Sequence, residues 1–272
     1  MTSVSPSETL IRLRDLVVRA AREELLPRFA EVHRSIKADG SVVTAADTAM
    51  QARMQAELAR EWPQYGFLGE EMSEEDQARL LHEGGGGLWC LDPLDGTSNY
   101  ASGIPYFAVS LALMVAGRSV LGLVFDPVRD ECFMAERARG AWLRDAPLAP
   151  QPARPALRRC IAGVDFKRLK GVLAARLGED PPYGSQRNFG ASSLDWCWLA
   201  AGRLHLYLHG GQKLWDYAAG SLILEEAGGL AQTLEGEGVS SGDLRSRSVV
   251  AAADAELFAA WRTWIQFNSR PG

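Results

Sequence analysis

Asp92 and Asp95 lie three residues apart in Trp89-Cys90-Leu91-Asp92-Pro93-Leu94-Asp95-Gly96-Thr97-Ser98-Asn99-Tyr100, directly ahead of a Gly-Thr pair. Pro93 fixes its own φ, and a Pro-Leu turn between the two acids can aim both carboxylates at one point. Hard divalent cations take oxygen donors arranged in this way. Gly96 removes the Cβ that would hold an anion off the backbone, and Thr97 brings a hydroxyl to a helix start, so metal and phosphate could meet here. The plain alternative is an Asp-rich turn that caps a helix, and for an isolated DxxD that is the better account.

Three related motifs do not fit. Phosphatases with an aspartyl nucleophile place their acids two apart, as in DxDGT. A calcium EF-hand loop counted from Asp92 would need ligands at Leu94 and Gly96, Gly at Thr97 and Glu at Gly103. No GxxxxGK[ST] is present for a nucleotide P-loop. Two further acidic features shift the balance toward chemistry. Tyr65-Gly66-Phe67-Leu68-Gly69-Glu70-Glu71 reads as a short apolar strand that ends in acids, and Trp215-Asp216-Tyr217-Ala218-Ala219-Gly220 opens a helix with Asp216 in its first turn. Separately, Glu70 could be a solvated acid and Asp216 a complement to the helix dipole. Together, four carboxylates delivered by apolar segments could serve a site for two or three magnesium ions.

In the order GEE (Gly69 to Glu71), DPLDGTSNY (Asp92 to Tyr100) and WDYAAG followed by EEAGG, the chain resembles the inositol monophosphatase superfamily of magnesium-dependent, lithium-sensitive phosphatases over nearly its whole length. The resemblance implies that Glu70, Asp92 and the Leu94 carbonyl hold a first ion, and that Asp92, Asp95 and Asp216 hold a second. A loosely held third would rely on Glu70 and water. Gly96 and Thr97 would meet phosphate through backbone amides, and Asp47 would pair with the Thr97 hydroxyl to polarise the attacking water. Lys37 matches the family's active-site loop lysine. Substrate contacts are expected from Gly190, Ala191, Ser192 and Ser193, whose alternative role is simply to cap the following helix. His209 stands where inositol phosphatases carry a glutamate. A histidine both donates and accepts, which suits a polyol but puts myo-inositol itself in doubt. The SNY after DGT is closer to inositol and histidinol phosphatases than to nucleotide 3'-phosphatases.

The expected activity is therefore magnesium-dependent hydrolysis of a small polyol or sugar phosphate, inositol-1-phosphate-like, by metal-activated water. A phosphate dianion repels hydroxide, so its hydrolysis needs cations on the phosphoryl oxygens, and clustered acids are how a protein holds them. No nucleophile is placed to form a phosphoenzyme. The alternatives are a histidinol phosphatase, a fructose-1,6-bisphosphatase, or a non-catalytic regulatory binding protein on the same scaffold. The resemblance also implies a homodimer.

The elements that must position these residues follow from pattern. A 272-residue chain, 47% apolar, can bury a large core as one domain or two lobes. Its formal charge of -5 gives no general electrostatic footprint for nucleic acid. The N-terminus lacks an apolar leader and reads as an amphipathic helix over about 7–32, with Ser5, Pro6 and Glu8 forming its capping box; no membrane span is evident. Scattered Cys90, Cys132, Cys160 and Cys197 suit free buried thiols in a reducing cytoplasm. Helices are expected at 45–61, 74–82, 166–176, 191–202, 216–227 and 254–266, with strands near 65–68, 89–91, 106–115, 120–125, 131–135, 141–144, 159–163, 204–208, 230 and 247–252. The proline-rich stretch 146–156 is the expected boundary between an N-terminal lobe (1–150), carrying most of the metal ligands, and a C-terminal lobe (151–272) that supplies substrate contacts and Asp216. The mixture predicts a layered α/β sandwich, and the resemblance implies the αβαβα arrangement.

Overall fold

No residue from Leu88 to Asp95 is exposed, so both faces of this strand must be covered, and the rest of the architecture does so. The computed structural model describes residues 5–29, 34–36, 42–83, 86–149, 156–240 and 242–269. In chain order the elements are α1 (Glu8–Glu24), β1 (Arg34–Ile36), β2 (Val42–Thr44), α2 (Ala45–Glu61), β3 (Gly66–Gly69), α3 (Glu74–Glu83), β4 (Leu88–Asp95), α4 (Thr97–Ala101), β5 (Ala108–Val115), β6 (Arg118–Asp126), β7 (Glu131–Glu136), β8 (Gly140–Leu143) and β9 (Ala146–Leu148). They continue with β10 (Ile161–Asp165), α5 (Gly171–Glu179), β11 (Ser185–Arg187), α6 (Ser192–Ala200), β12 (Leu206–Gln212), α7 (Leu214–Glu226), β13 (Leu230–Gln232), β14 (Arg247–Ala252) and α8 (Ala255–Asn268).

β3 to β9 form a seven-stranded sheet in sequence order, parallel only between β3 and β4. Side chains alternate across β4, so Trp89 and Leu91 face one way and Cys90 the other. Trp89 and Leu91 meet Leu13 and Val17 of α1 and Met50 and Met54 of α2 in one core. Cys90 joins a second core with Trp196 and Leu199 of α6 and Leu222 and Ile223 of α7. That core also takes in Tyr207, Val249 and Ala251 from a five-stranded sheet of order β11-β10-β12-β14-β13. On this sheet's far face Val164, Leu208 and Val250 pack with Leu173 and Leu177 of α5 and Leu257 and Trp261 of α8. The result is five layers, αβαβα. The middle helices α6 and α7 are apolar nearly all round because both sides are covered by sheet.

Close approach within that middle layer depends on small residues, on the helix-to-sheet side and on the helix-to-helix side. A Cβ on Gly122 of β6 would meet the Ala219 backbone, whereas a Cβ on Gly220 would run into Trp196 of α6. Gly220→Ala is therefore expected to lower stability by about 1–3 kcal/mol in urea unfolding. No loss of midpoint would mean that the two helices are not tightly apposed.

Several boundaries differ from expectation. The first helix ends at Glu24 rather than near 32, because Pro27 falls in a 3₁₀ turn at Leu26–Arg28. Its N-cap is Ser7, whose hydroxyl accepts from Leu10 N–H at 3.3 Å, not Ser5. The stretch 166–176 splits into a 3₁₀ turn, Phe166–Arg168, and a helix that starts only at Gly171. β12 runs on through Gly210-Gly211 to Gln212, past the expected end of the strand at 208. β1, β2, β9 and β11 have three residues each, too few to show periodicity.

Candidate metal and phosphate site

The ladder between β4 and β5 slips register between Asp92 and Asp95, which turns the end of the strand toward the cleft. Asp92 Oδ1 accepts from Leu94 N–H at 3.0 Å, fixing the Pro-Leu turn. Gly96 follows with φ 87°, and a Cβ there would press on the Tyr106 carbonyl and on Ala191, so the turn needs glycine. α4 begins at Thr97. The Thr97 hydroxyl lies 3.1 Å from Asp47 Oδ1 and 2.9 Å from the Leu94 carbonyl, two acceptors for one proton. Asp47 is itself oriented by a capping box at the start of α2: its Oδ2 accepts from Thr44 N–H at 2.8 Å and from the Thr44 hydroxyl at 2.5 Å. Burial raises the Asp47 carboxyl above its ordinary value, with the Thr44 hydrogen bonds working against the shift.

Glu70 reaches the same place by extending the parallel pairing of β3 with β4, its N–H donating to the Leu91 carbonyl at 3.1 Å. Gln77 of α3 donates to the Gly69 and Glu70 carbonyls, and Gln51 of α2 accepts from Glu71 N–H at 2.9 Å, so the GEE turn is held from two sides. Asp216 arrives on the first turn of α7, its Oδ2 accepting from Lys213 N–H at 2.8 Å. Asp95 is tied to the second half of the chain, because its Oδ2 accepts from Ser193 N–H at 2.6 Å and from the Ser193 hydroxyl at 2.5 Å. In effect Asp95 is the N-cap carboxylate of α6, supplied from another strand.

These four acids feel one another strongly. Burial, then repulsion from Glu70, Asp95 and Asp216, pushes the Asp92 carboxyl well above the usual range, and Glu70 hydrogen-bonds to it. Asp95 is also raised by burial, in spite of its bonds to Ser193. Asp216 is pushed up to about 8 by burial and by the charges of Asp95 and Glu70. Among the described residues no three His, Cys, Asp or Glu side chains stand as a ready-made metal cage. The contacts above give the reason: Glu70 and Asp92 bond to each other while Asp95 and Asp216 hold backbone N–H groups. The donor set nonetheless fits magnesium. All the donors are hard oxygens, and their mutual repulsion in a buried place is what a divalent cation relieves.

Glu70, Asp95, Gly96, Thr97 and Asp216 line a single cleft of about 380 Å³. Of the residues expected to contact substrate, Gly190, Ala191, Ser192 and His209 line it too. Gly190 has φ 81° and packs against Asn99, whose amide donates to the Tyr106 and Phe189 carbonyls. Ser193 is fully buried and serves Asp95 instead of the cleft. His209 has both ring nitrogens engaged inside the protein: Nδ1 accepts from Gly211 N–H at 3.1 Å, and Nε2 lies 3.0 Å from Asp165 Oδ2. Lys37 lies outside the described residues. The sequence reading missed Asp165, Lys167, Arg168, Asn188 and Asp195, all of which line the cleft. Asp165 is the register partner of His209 across parallel β10 and β12, a pairing that no local pattern announces.

Comparison with known proteins agrees with this geometry. Residues 8–266 match the model of the inositol monophosphatase family. An inositol-1-monophosphatase from Rhizobium meliloti (strain 1021) is 37% identical over 229 residues, covering 80% of this chain and 83% of that protein. A Nus factor SuhB from Pasteurella multocida (strain Pm70) is 32% identical over 251 residues, covering 88% and 90%. The crystal structure of extragenic suppressor protein suhB from Bartonella henselae superimposes with a TM-score of 0.82 at 29% identity, covering 96% of this chain and 99% of that one. This chain therefore belongs to the inositol monophosphatase family.

Proposed function

We propose that the cleft is the active site of a magnesium-dependent phosphomonoesterase that acts on a small polyol or sugar phosphate, inositol-1-phosphate-like, through an activated water. The observation that carries this reading is the convergence of Glu70, Asp92, Asp95 and Asp216 beside the Gly96-Thr97 turn, with a Thr97–Asp47 hydrogen bond in reach of the same space. Glu70, Asp92, the Leu94 carbonyl, Asp95 and Asp216 would hold two or three ions. Bound magnesium supplies neutralisation of phosphoryl charge, a more acidic water and a partner for the leaving oxygen.

The chain's own groups do the rest. Backbone N–H groups of Gly96 and Thr97 receive phosphate oxygens where the missing Cβ leaves room. Asp47 accepts a hydrogen bond from the Thr97 hydroxyl, leaving that oxygen free to accept one from the attacking water and orient it. Gly190, Ala191 and Ser192 offer the loop ahead of α6 to substrate hydroxyls. No covalent phosphoenzyme forms. Thr97→Val is expected to lower kcat by about 10²-fold or more with little change in KM, because the hydroxyl acts on water rather than on the resting substrate. A variant with near wild-type kcat would remove Thr97 from this role.

The test is phosphate release from inositol 1-phosphate, histidinol phosphate, fructose 1,6-bisphosphate and adenosine bisphosphate, with magnesium and then with chelator. Release that chelator abolishes is expected. Silence on every substrate would favour a second reading, a non-catalytic binding role, which the Nus factor SuhB relative also supports. We also take residues 1–150 and 151–272 as two lobes with the site between them, and the working assembly as a homodimer. Among the described residues no helix is long and apolar enough to cross a membrane.

A further inference from the structure

One wall of the cleft carries two basic side chains to which the proposed hydrolysis assigns no role, although the charge of Arg168 is felt by Asp165 and Asp216. Lys167 and Arg168 lie on the 3₁₀ turn Phe166–Arg168 that follows β10, and they are the lysine and arginine side chains that line the cleft among the described residues. Both are exposed, and neither forms an ion pair among the described residues. An exposed basic pair is by default a solvated surface feature. Here the turn that bears it is anchored at three points.

The first anchor is Asp165, whose Oδ1 accepts from Lys167 N–H at 2.8 Å and closes the turn. The second is His209. The Gly211 N–H donates to its Nδ1, so the ring proton sits on Nε2 and is donated to Asp165 Oδ2 at 3.0 Å. The third is Gly210, at which a Cβ would run into the Arg168 carbonyl, so only glycine lets the turn lie this close to β12. Asp165 and His209 are also paired in register between β10 and β12, and this ties the turn to the core of the five-stranded sheet. The other charged side chains on the lining (Glu70, Asp95, Asp165, Asp195 and Asp216) are acidic, in a protein of net charge -5; with cations held by the acids at the metal end, Lys167 and Arg168 are the side chains left to attract an anionic group of the substrate.

We propose that the substrate of this site carries a second anionic group, a carboxylate or a second phosphate, received by Lys167 and Arg168, and that the Asp165–His209 pair positions their turn. The inference rests on the phosphomonoesterase reading above and narrows its substrate class from neutral polyol phosphates to doubly anionic ones. Lys167 acts as a point charge, while Arg168 can form a bidentate contact with a carboxylate or phosphate. Asn188, also on the lining, adds an amide for the hydroxyls between the two anions.

The test uses matched pairs that differ in one group. Sorbitol 6-phosphate and 6-phosphogluconate share their chain except for a hydroxymethyl against a carboxylate, and fructose 1-phosphate and fructose 1,6-bisphosphate differ by one phosphate. Wild-type protein with magnesium is expected to show a KM about tenfold lower for the doubly anionic member of at least one pair, and which pair responds identifies carboxylate or phosphate as the recognised group. The Lys167→Ala, Arg168→Ala double variant should bring that KM ratio to within about twofold of unity, and Arg168→Lys alone should keep part of it. His209→Ala should erode the ratio through KM with little effect on kcat, and His209→Gln, which retains a donor for Asp165, should partly restore it. Phosphate release with equal KM within both pairs would overturn the inference and leave the phosphatase reading standing. A ratio that survives the double variant would also overturn it. Silence on all four compounds would overturn the inference, while release from inositol 1-phosphate in the panel above decides separately whether the phosphatase reading stands.

Discussion

Asp95→Asn and Asp216→Asn are each expected to lower phosphate release by about a thousandfold or more while the protein stays folded. The two halves of this expectation have different origins. Turnover falls because an amide lends a cation one neutral oxygen where a carboxylate lends charge, and the phosphoryl group then faces a weakened electrostatic partner. Folding survives because the local contacts do not need the charge. An asparagine oxygen at 95 can still accept from Ser193, and one at 216 can still accept from Lys213 N–H. Either substitution also removes one of several buried like charges, so the urea midpoint of the metal-free protein should hold or rise. Measuring kcat and unfolding on the same preparations checks both halves. Activity within tenfold of wild type in both variants would dismiss these ligands.

The metal-free protein is expected to lose stability as pH rises from about 5 to 8, and magnesium should reverse the loss. Asp92, Asp95 and Asp216 hold their protons more tightly in the folded chain than an ordinary aspartate does, Asp216 up to about 8. With more protons bound folded than unfolded, stability is greatest below the unfolded value of 3.8 and is surrendered as pH climbs toward 8. Across this window the change should be on the order of 2–4 kcal/mol once coupling among the acids and partial exposure of Asp216 are discounted. Asp165, Glu131 and Glu235 are shifted downward, and their contributions change below the window. His205, lowered by burial, works the other way near 6.5 and offsets part of the slope. Saturating magnesium should raise Tm more at pH 8 than at pH 5, since at the lower pH it must displace protons. A Tm that is flat from pH 5 to 8, with equal magnesium shifts at both ends, would contradict the crowding of these acids.

The metal end of the site was legible because each ligand sits at the end of an apolar segment and announces itself locally: DPLDGT closes β4, GEE closes β3 and WD opens α7. A layered α/β sandwich was legible in the mixture of helical and strand patterns, whereas the five-layer arrangement came only with the family resemblance. What the sequence hid was pairing between distant segments. Asp95 and Ser193 lie 98 residues apart, and nothing near Ser193 shows that its hydroxyl serves a carboxylate rather than a sugar. His209 read as a group available to substrate because its partners come from Gly211, beyond the expected end of the strand, and from Asp165, on a strand that only the sheet brings alongside. Lys167 and Arg168 read as part of a helix because the Asp165 turn that redirects them depends on that same pairing.

The proposed activity requires divalent cations to be bound by side chains drawn from three separate stretches of the chain. Titrating manganese, a paramagnetic stand-in for magnesium, into the wild type and into an Asp95→Asn, Asp216→Asn double variant while counting free ion by electron paramagnetic resonance measures that binding without reference to any substrate. At least two manganese ions per wild-type chain, with at least one lost in the double variant, is the predicted result; the same number bound by both proteins, or none bound by either, would contradict it.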